Sequence, residues 1–286
     1  MHSIFFNSLF HRAIWIVVSI ILMVPVTALL SEEPATIQEK SFRRNSPTPL
    51  NADASAVEEP HRWLADVPPA MARLVDIGNV QLRVDQPAVE AAHRTALTKF
   101  TFTLKYRMRY RISELPKNQE SKSQCKISST IFDIETDTTH RILLSEYFRP
   151  VKPWETELLQ HEFDHVAIST DPRMFEMLRS LEGRKLSLIA TPDQNTNVSD
   201  DWAKKAIENS ISEFQRAVEQ LVQRYYLQLD EVSNNGLKNI DDRSRFFTEL
   251  YSLKNLERMR FPYLTDVKER IVKVKQDQIK KHYRLP

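Results

Sequence analysis

Glycine is scarce in this chain: only Gly78, Gly183 and Gly236 occur in 286 residues. A glycine-rich phosphate loop or a G-x-G-x-x-G dinucleotide turn needs several glycines within a few positions, so both are excluded. Cysteine is scarcer still. Cys125 is alone and forms no disulfide within the chain, so stability must come from an apolar core or a metal. Neither sign of charge is in excess. The 40 Lys and Arg against 38 Asp and Glu leave a formal net charge of +2, which gives no reason to expect nucleic acid as a partner. No internal repeat is visible, and there is one long apolar run.

That run, residues 13–30 (AIWIVVSIILMVPVTALL), follows His11 and Arg12 and precedes Ser31-Glu32-Glu33. A short basic flank, an apolar stretch and Val26-Thr27-Ala28 as a cleavage site make residues 1–30 a signal peptide, or an N-terminal membrane anchor if uncleaved. Both predict an exported protein of the periplasm, cell envelope or extracellular space. Residues 31–75 are rich in Pro, Ser, Ala and charge, and read as a flexible linker or pro-region. Residues 76–236 then hold the chemistry. Residues 237–286 form a charged helical extension, with ten Lys or Arg against four Asp or Glu from Lys254 onward. That tail reads as a solvated amphipathic face, or as a contact for anionic lipid where the chain is anchored.

Residues 80–84 read as a short strand and 87–97 as a helix opened by Pro87. The strongest strand signal lies over 99–112. Every even position from Phe100 to Ile112 is apolar or aromatic, and every odd one is Lys, Thr or Arg, which places one face in a core and a basic face in solvent. Strands at 126–135 and 140–147 follow, then a helix starting at Pro153-Trp154-Glu155. Further helices are expected over 172–182, from Ser199 or Asp200 to about Leu229, and from Asp241 onward, with a loop over 184–198. The fold class is α+β: an antiparallel sheet packed on one central helix, followed by a helical C-terminal region.

The central helix carries His161-Glu162-Phe163-Asp164-His165, an H-E-x-x-H pentapeptide. Leu159, Phe163 and Val166 are spaced to face a core, and His161 and His165 share an adjacent face, where two imidazoles four residues apart grip one zinc ion. Glu162 can take a proton from water activated by that metal and pass it to a leaving amine. Asp164 is a candidate acceptor that fixes a histidine tautomer. Tyr225, Tyr226 and His140 are candidates to stabilise an oxyanion. The bland reading is a surface helix whose histidines hold nothing.

A catalytic zinc takes three protein ligands, and the spacing leaves the third open. Asp171 sits six residues after His165, where metzincin-type sites place theirs, but Ile168 stands where those sites turn on a glycine. Glu176, Glu182 and Glu208 lie on later helical segments, as the carboxylate of gluzincin-type sites does. Cys125 is a further candidate, because Gln160-His161-Glu162-Phe163-Asp164-His165 resembles the motif of peptide deformylases, whose third ligand is an upstream cysteine. The glycine-rich segment and the cysteine context of that family are missing here. Cys125 reads equally as a small buried hydrophobe.

Residues 78–236 resemble a bacterial family of secreted zinc-dependent proteases. The resemblance rests on Tyr106-Arg107-Met108-Arg109-Tyr110, the strand from Cys125, and His161-Glu162 with His165 and Ile168. It also rests on Asp230-Glu231-Val232-Ser233-Asn234-Asn235-Gly236, similar to that family's D-x-x-T-x-H-G segment. Asn235 stands where the family has histidine, which makes it a candidate ligand position altered in this chain. The resemblance implies an exported zinc metalloprotease acting on peptide or protein substrates. The competing class is a non-catalytic envelope-associated interaction protein with a degenerate site.

Overall fold

The computed structural model describes residues 14–19, 60–114, 124–190 and 199–283, the first of these as backbone alone. The expected cleavage site and most of the expected linker lie outside the described residues.

The sheet is built on a long hairpin of β3 (Ala96–Glu114) and β4 (Cys125–Leu144). Their register runs from Ala96 opposite Leu144 to Glu114 opposite Cys125, with a shift between Lys105 and Arg107. Asp133, across from that shift, has φ +54°, and its carboxylate pairs with Arg107 at 3.2 Å. The alternation over 99–112 is realised as read: Phe102, Leu104, Tyr106 and Met108 are buried, while Lys99, Arg109 and Arg111 are exposed. The two strands expected at 126–135 and 140–147 are one, because both segments find their partner on the same long β3.

Three shorter strands complete the sheet. β1 (Ile14–Ser19) pairs antiparallel with β3, β2 (Val80–Val84) pairs in parallel with the end of β4, and β5 (Lys185–Ala190) pairs antiparallel with its start. The sheet is therefore mixed rather than antiparallel. Of the long apolar run only β1 is described, as an extended strand rich in β-branched residues, which suit a pleated surface. Among the described residues no helix is long and apolar enough to cross a membrane. The loop expected over 184–198 begins as β5.

The helices are α1 (Pro60–Trp63), α2 (Pro69–Gly78), α3 (Gln86–Ala91), α4 (Glu157–Ser169), α5 (Pro172–Arg179) and α6 (Asp200–Ser233). Four short ones follow: α7 (Arg243–Leu250), α8 (Leu253–Arg258), α9 (Leu264–Ile271) and α10 (Gln276–His282). Trp63, Met71 and Leu74 are buried, so residues 60–75 belong to the folded body and not to a linker. The helix expected over 87–97 ends at Ala91, because β3 claims the chain from Ala96. Pro153–Glu155 forms a 3₁₀ turn. α4 itself starts at Glu157, where Thr156 accepts the Leu159 N–H as its cap.

α4 is central. Leu159, Phe163, Val166, Ala167 and Ile168 are fully enclosed between β3 and α6. The C-terminal helices close around its last turn and satisfy carbonyls that a helix end leaves open. The Tyr251 hydroxyl donates to Ile168 O at 2.9 Å, and His282 Nε2 lies 2.8 Å from Ala167 O. Beyond the turn, Asp171 is buried and takes Arg173 and the Tyr283 hydroxyl, the latter at 2.6 Å. Phe247, Tyr251, Leu256, Val267 and Ile279 belong to the same core cluster as Phe163 and Val166. The boundary expected at residue 236 is no break in packing.

Candidate metal centre

The H-E-x-x-H residues lie in the middle of α4, and the helix period puts both imidazoles on one face, their ring centres 4.7 Å apart. Across from them runs the last turn of α6. That helix continues one turn past Leu229, where the sequence suggested its end. The extra turn adds Asp230 and Ser233 to the stripe of Tyr226 that faces α4. Asp230 Oδ1 stands 3.0 Å from His161 Nε2 and 3.1 Å from His165 Nε2. Its other oxygen pairs with Arg94 Nη2 at 2.9 Å. The side chains of His161 and His165 are 4% and 5% exposed, that of Asp230 14% and that of Arg94 29%, so solvent reaches the group from the Arg94 side.

Burial works against charge on Asp230. Protons shared with the two imidazoles, together with the charge of Arg94, outweigh it and hold the carboxyl well below the usual range.

Ser233 decides a tautomer. Its single hydroxyl proton goes to Leu229 O at 2.7 Å, and it accepts the Gly236 N–H at 3.1 Å. Its contact with His161 Nδ1 at 3.2 Å must therefore be an N–H donated by the ring. Neutral His161 then turns the bare lone pair of Nε2 towards Asp230 Oδ1. Two lone pairs at that distance repel unless a cation, proton or metal, lies between them. Nδ1 of His165 is buried with no hydrogen-bond partner among the described residues.

The donor set fits a metal. His161, His165 and Asp230 form a group whose ligand atoms all lie within 4.8 Å of one another. Neighbouring ligands of a tetrahedral ion with bonds of about 2.0–2.1 Å stand about 3.3 Å apart, close to the 3.0 and 3.1 Å from Asp230 Oδ1 to the two Nε2 atoms. Two imidazoles and one carboxylate are also a donor set typical of zinc.

Glu162 stands beside this group, nearly enclosed, and its Oε2 accepts the Thr98 hydroxyl at 2.6 Å. Asp164 does not meet a histidine nitrogen. It pairs with Arg243 from the C-terminal region, while burial pushes its carboxyl up against the pull of that cation.

None of the expected third ligands joins the histidines. Asp171 is bound to Arg173 and Tyr283, Glu176 pairs with Arg179, and Glu182 reaches Arg270. Glu208 pairs with Lys204, about 33 Å along α6 from Asp230 at 1.5 Å per residue. Cys125 is buried at the end of the hairpin far from Thr98. Asn235 is exposed in the left-handed turn Asn234-Asn235-Gly236. Asp230 opens the segment similar to D-x-x-T-x-H-G, which is its sequence signal, but 65 and 69 residues separate it from the histidines and spacing alone does not single it out.

The expected oxyanion stabilisers are committed elsewhere. The Tyr225 hydroxyl accepts from Asn255. Tyr226 lays its ring 4.4 Å from that of His165 and donates its hydroxyl to Ser169 at 2.9 Å. His140 gives Nδ1–H to Gly78 O at 2.7 Å and meets Ser169 Oγ at 2.5 Å with Nε2.

Compared with known protein families, curated proteins and solved structures, the chain matches none of them. The resemblance to secreted zinc-dependent proteases therefore rests on its motif residues alone.

Two measurable consequences arise here. Gly236 has φ +78°, and a Cβ there would lie 2.8 Å from His161 Cβ and 2.9 Å from its Cγ. Gly236→Ala must displace the ring, and zinc affinity is expected to fall at least about tenfold, the scale on which misplaced ligand orientation acts. Isothermal titration with zinc checks this. Separately, burial pushes His140 down from its ordinary 6.5 to about 4. Between those values the unfolded chain binds a proton that the folded chain refuses, so stability is lost as pH falls from 6.5 towards 4. At 1.36 kcal/mol per unit this amounts to roughly 3 kcal/mol. Urea denaturation at pH 7 and pH 4.5 should show the loss, and His140→Gln should flatten it.

Proposed function

We propose that this chain is a zinc-dependent hydrolase of peptide bonds, exported as its N-terminal segment suggests. His161, His165 and Asp230 hold the metal, and Glu162 handles the proton. The observation that supports this most is the arrival of Asp230 Oδ1 at both Nε2 atoms of the H-E-x-x-H pair. Zinc in that position supplies a Lewis acid and lowers the pKa of a water it binds towards neutrality.

The surrounding residues divide the remaining work. Thr98 fixes Oε2 of Glu162, which leaves Oε1 to receive a proton from the attacking water and return it to the leaving amine. Arg94 occupies Oδ2 of Asp230 and so directs Oδ1 at the histidines. Ser233 keeps the His161 proton on Nδ1. The Tyr226 ring, with Phe100 5.2 Å behind it, keeps water from the inner side of the histidines. The Asp230–Arg94 edge is the most exposed part of the group, and a substrate approaches from there.

A second reading has its own support. Glu162 is only 2% exposed, and such enclosure also suits a metal that serves structure alone in a non-catalytic protein. Metal analysis and a protease assay on unfolded casein test both. The hydrolase reading expects one zinc per chain and casein cleavage that a chelator stops. A correctly folded protein that takes up no zinc overturns both readings, and one zinc without cleavage leaves the structural one.

A further inference from the structure

Beside the C-terminal end of α4 lies a polar concavity that the hydrolase reading does not use. It is an open hollow with a volume of about 580 Å³, lined by α2, the α4–α5 junction at Thr170, α5, and the segment from Lys273 through α10. Three half-buried apolar residues, Ile77, Phe175 and Val274, form its apolar part, called the floor below. Its rim is cationic: Arg73, Arg179, Lys273 and Lys281 face a single carboxylate, Glu176. That carboxylate is already taken, by Arg179 at 2.9 Å and by Arg270 at 3.7 Å. Arg73, Lys273 and Lys281 have no acidic partner among the described residues. Two of these three come from the basic tail, whose excess charge is thus gathered with Arg73 around one opening.

We propose that this pocket binds a single anionic amphiphile: a carboxylate or phosphate head among Arg73, Lys273 and Lys281, and an alkyl portion on Phe175, Ile77 and Val274. Two features argue for this ligand class together. Three unpaired cations around one opening favour an anion, and a half-exposed apolar floor gains by burying hydrocarbon. A bare anion leaves the floor in water, and a neutral apolar molecule leaves the cations without a partner. The volume lies within the range of about 300–1,000 Å³ usual for small-molecule sites. Thr170, in the wall, caps the C-terminus of α4 and bonds Val166 O at 2.7 Å, so an occupant touches the end of the helix that carries the histidines.

Laurate, used as monomer well below its micelle concentration, is the probe, with isothermal titration calorimetry as the measurement on the full chain. One laurate per chain is expected. The double variant Lys273→Glu with Lys281→Glu, at two exposed positions, should weaken binding at least tenfold while leaving the thermal transition of the free protein in place. Phe175→Ser should weaken laurate without creating affinity for inorganic phosphate. Dodecyltrimethylammonium should not bind. The proposal is overturned by unchanged laurate binding in the charge-reversed variant, by inorganic phosphate binding as tightly as laurate, or by no laurate binding at all. It is also overturned if vesicles rich in phosphatidylglycerol bind while monomeric laurate does not, since that result belongs to a flat membrane contact.

Discussion

Asp230→Ala is expected to abolish stoichiometric zinc binding, with the dissociation constant raised by more than about 100-fold. The bound comes from outer residues that merely orient a ligand: their loss costs about 10–100-fold, and losing a ligand must cost more. Among the described residues Asp230 is also the only carboxylate that meets both histidines, through one oxygen at 3.0 and 3.1 Å. Glu208→Ala and Glu176→Ala, at two of the other expected positions, should leave zinc affinity within error of the parent chain. Zinc titration monitored by calorimetry, at a pH where the histidines are neutral, reads all three. Wild-type affinity in Asp230→Ala would remove the proposed centre, whereas loss of affinity in Glu208→Ala would place a ligand about 33 Å away on the same helix. Asp230→Asn is the control for folding. It keeps the shape and a hydrogen-bond acceptor towards the rings, so its denaturation curve should stay closer to the parent than its zinc affinity does.

Glu162→Gln is expected to retain zinc within about tenfold and to lower hydrolysis by about 10²–10⁴, the range over which a positioned general base acts. The amide is isosteric, and its carbonyl oxygen can still accept the Thr98 hydroxyl that now bonds Oε2 at 2.6 Å. Packing and metal binding should therefore survive the change. What is lost is an oxygen able to take and return a proton, about 3–5 kcal/mol of barrier at 1.36 kcal/mol per tenfold. The readout is casein cleavage by zinc-loaded protein, next to the metal content of the same sample. An unchanged rate removes Glu162 as the base, and a lost metal shows that the carboxylate serves the fold.

The parts of the fold that proved legible have a local cause. The β3 alternation at Phe102, Leu104, Tyr106 and Met108 follows from side chains pointing to opposite faces of a strand, whatever that strand packs against. The burial of Leu159, Phe163 and Val166 beside His161 and His165 follows from 3.6 residues per turn. The illegible parts depend on partners distant in sequence. Residues 60–75 look like linker because Trp63, Met71 and Leu74 are sparse, yet Trp63 finds Phe148, 6.1 Å away between ring centres. The C-terminal region looks like a solvated tail because its charges dominate the composition. Its few large side chains, Phe247, Tyr251 and Ile279, are enough to seat it around the end of α4. Asp164 reads as a partner for a histidine, and only the fold brings Arg243 to it from 79 residues away.

By itself the sequence determined that two histidines and a glutamate share a helix with one core face, since spacing along a helix sets direction without help from the rest of the chain. It also excluded disulfide and glycine-loop chemistry by composition. It did not determine what completes the group. Asp171, Glu176, Glu208, Cys125, Asn235 and Asp230 all carry atoms able to bind a metal, and the chain between them is long enough for many approaches. The choice of Asp230 depends on α6 running one turn past Leu229 and lying against α4, and on Arg94 turning the carboxylate so that Oδ1 points inward. Those are packing outcomes, settled among residues 65 to 69 positions apart, and only the tertiary structure could decide them.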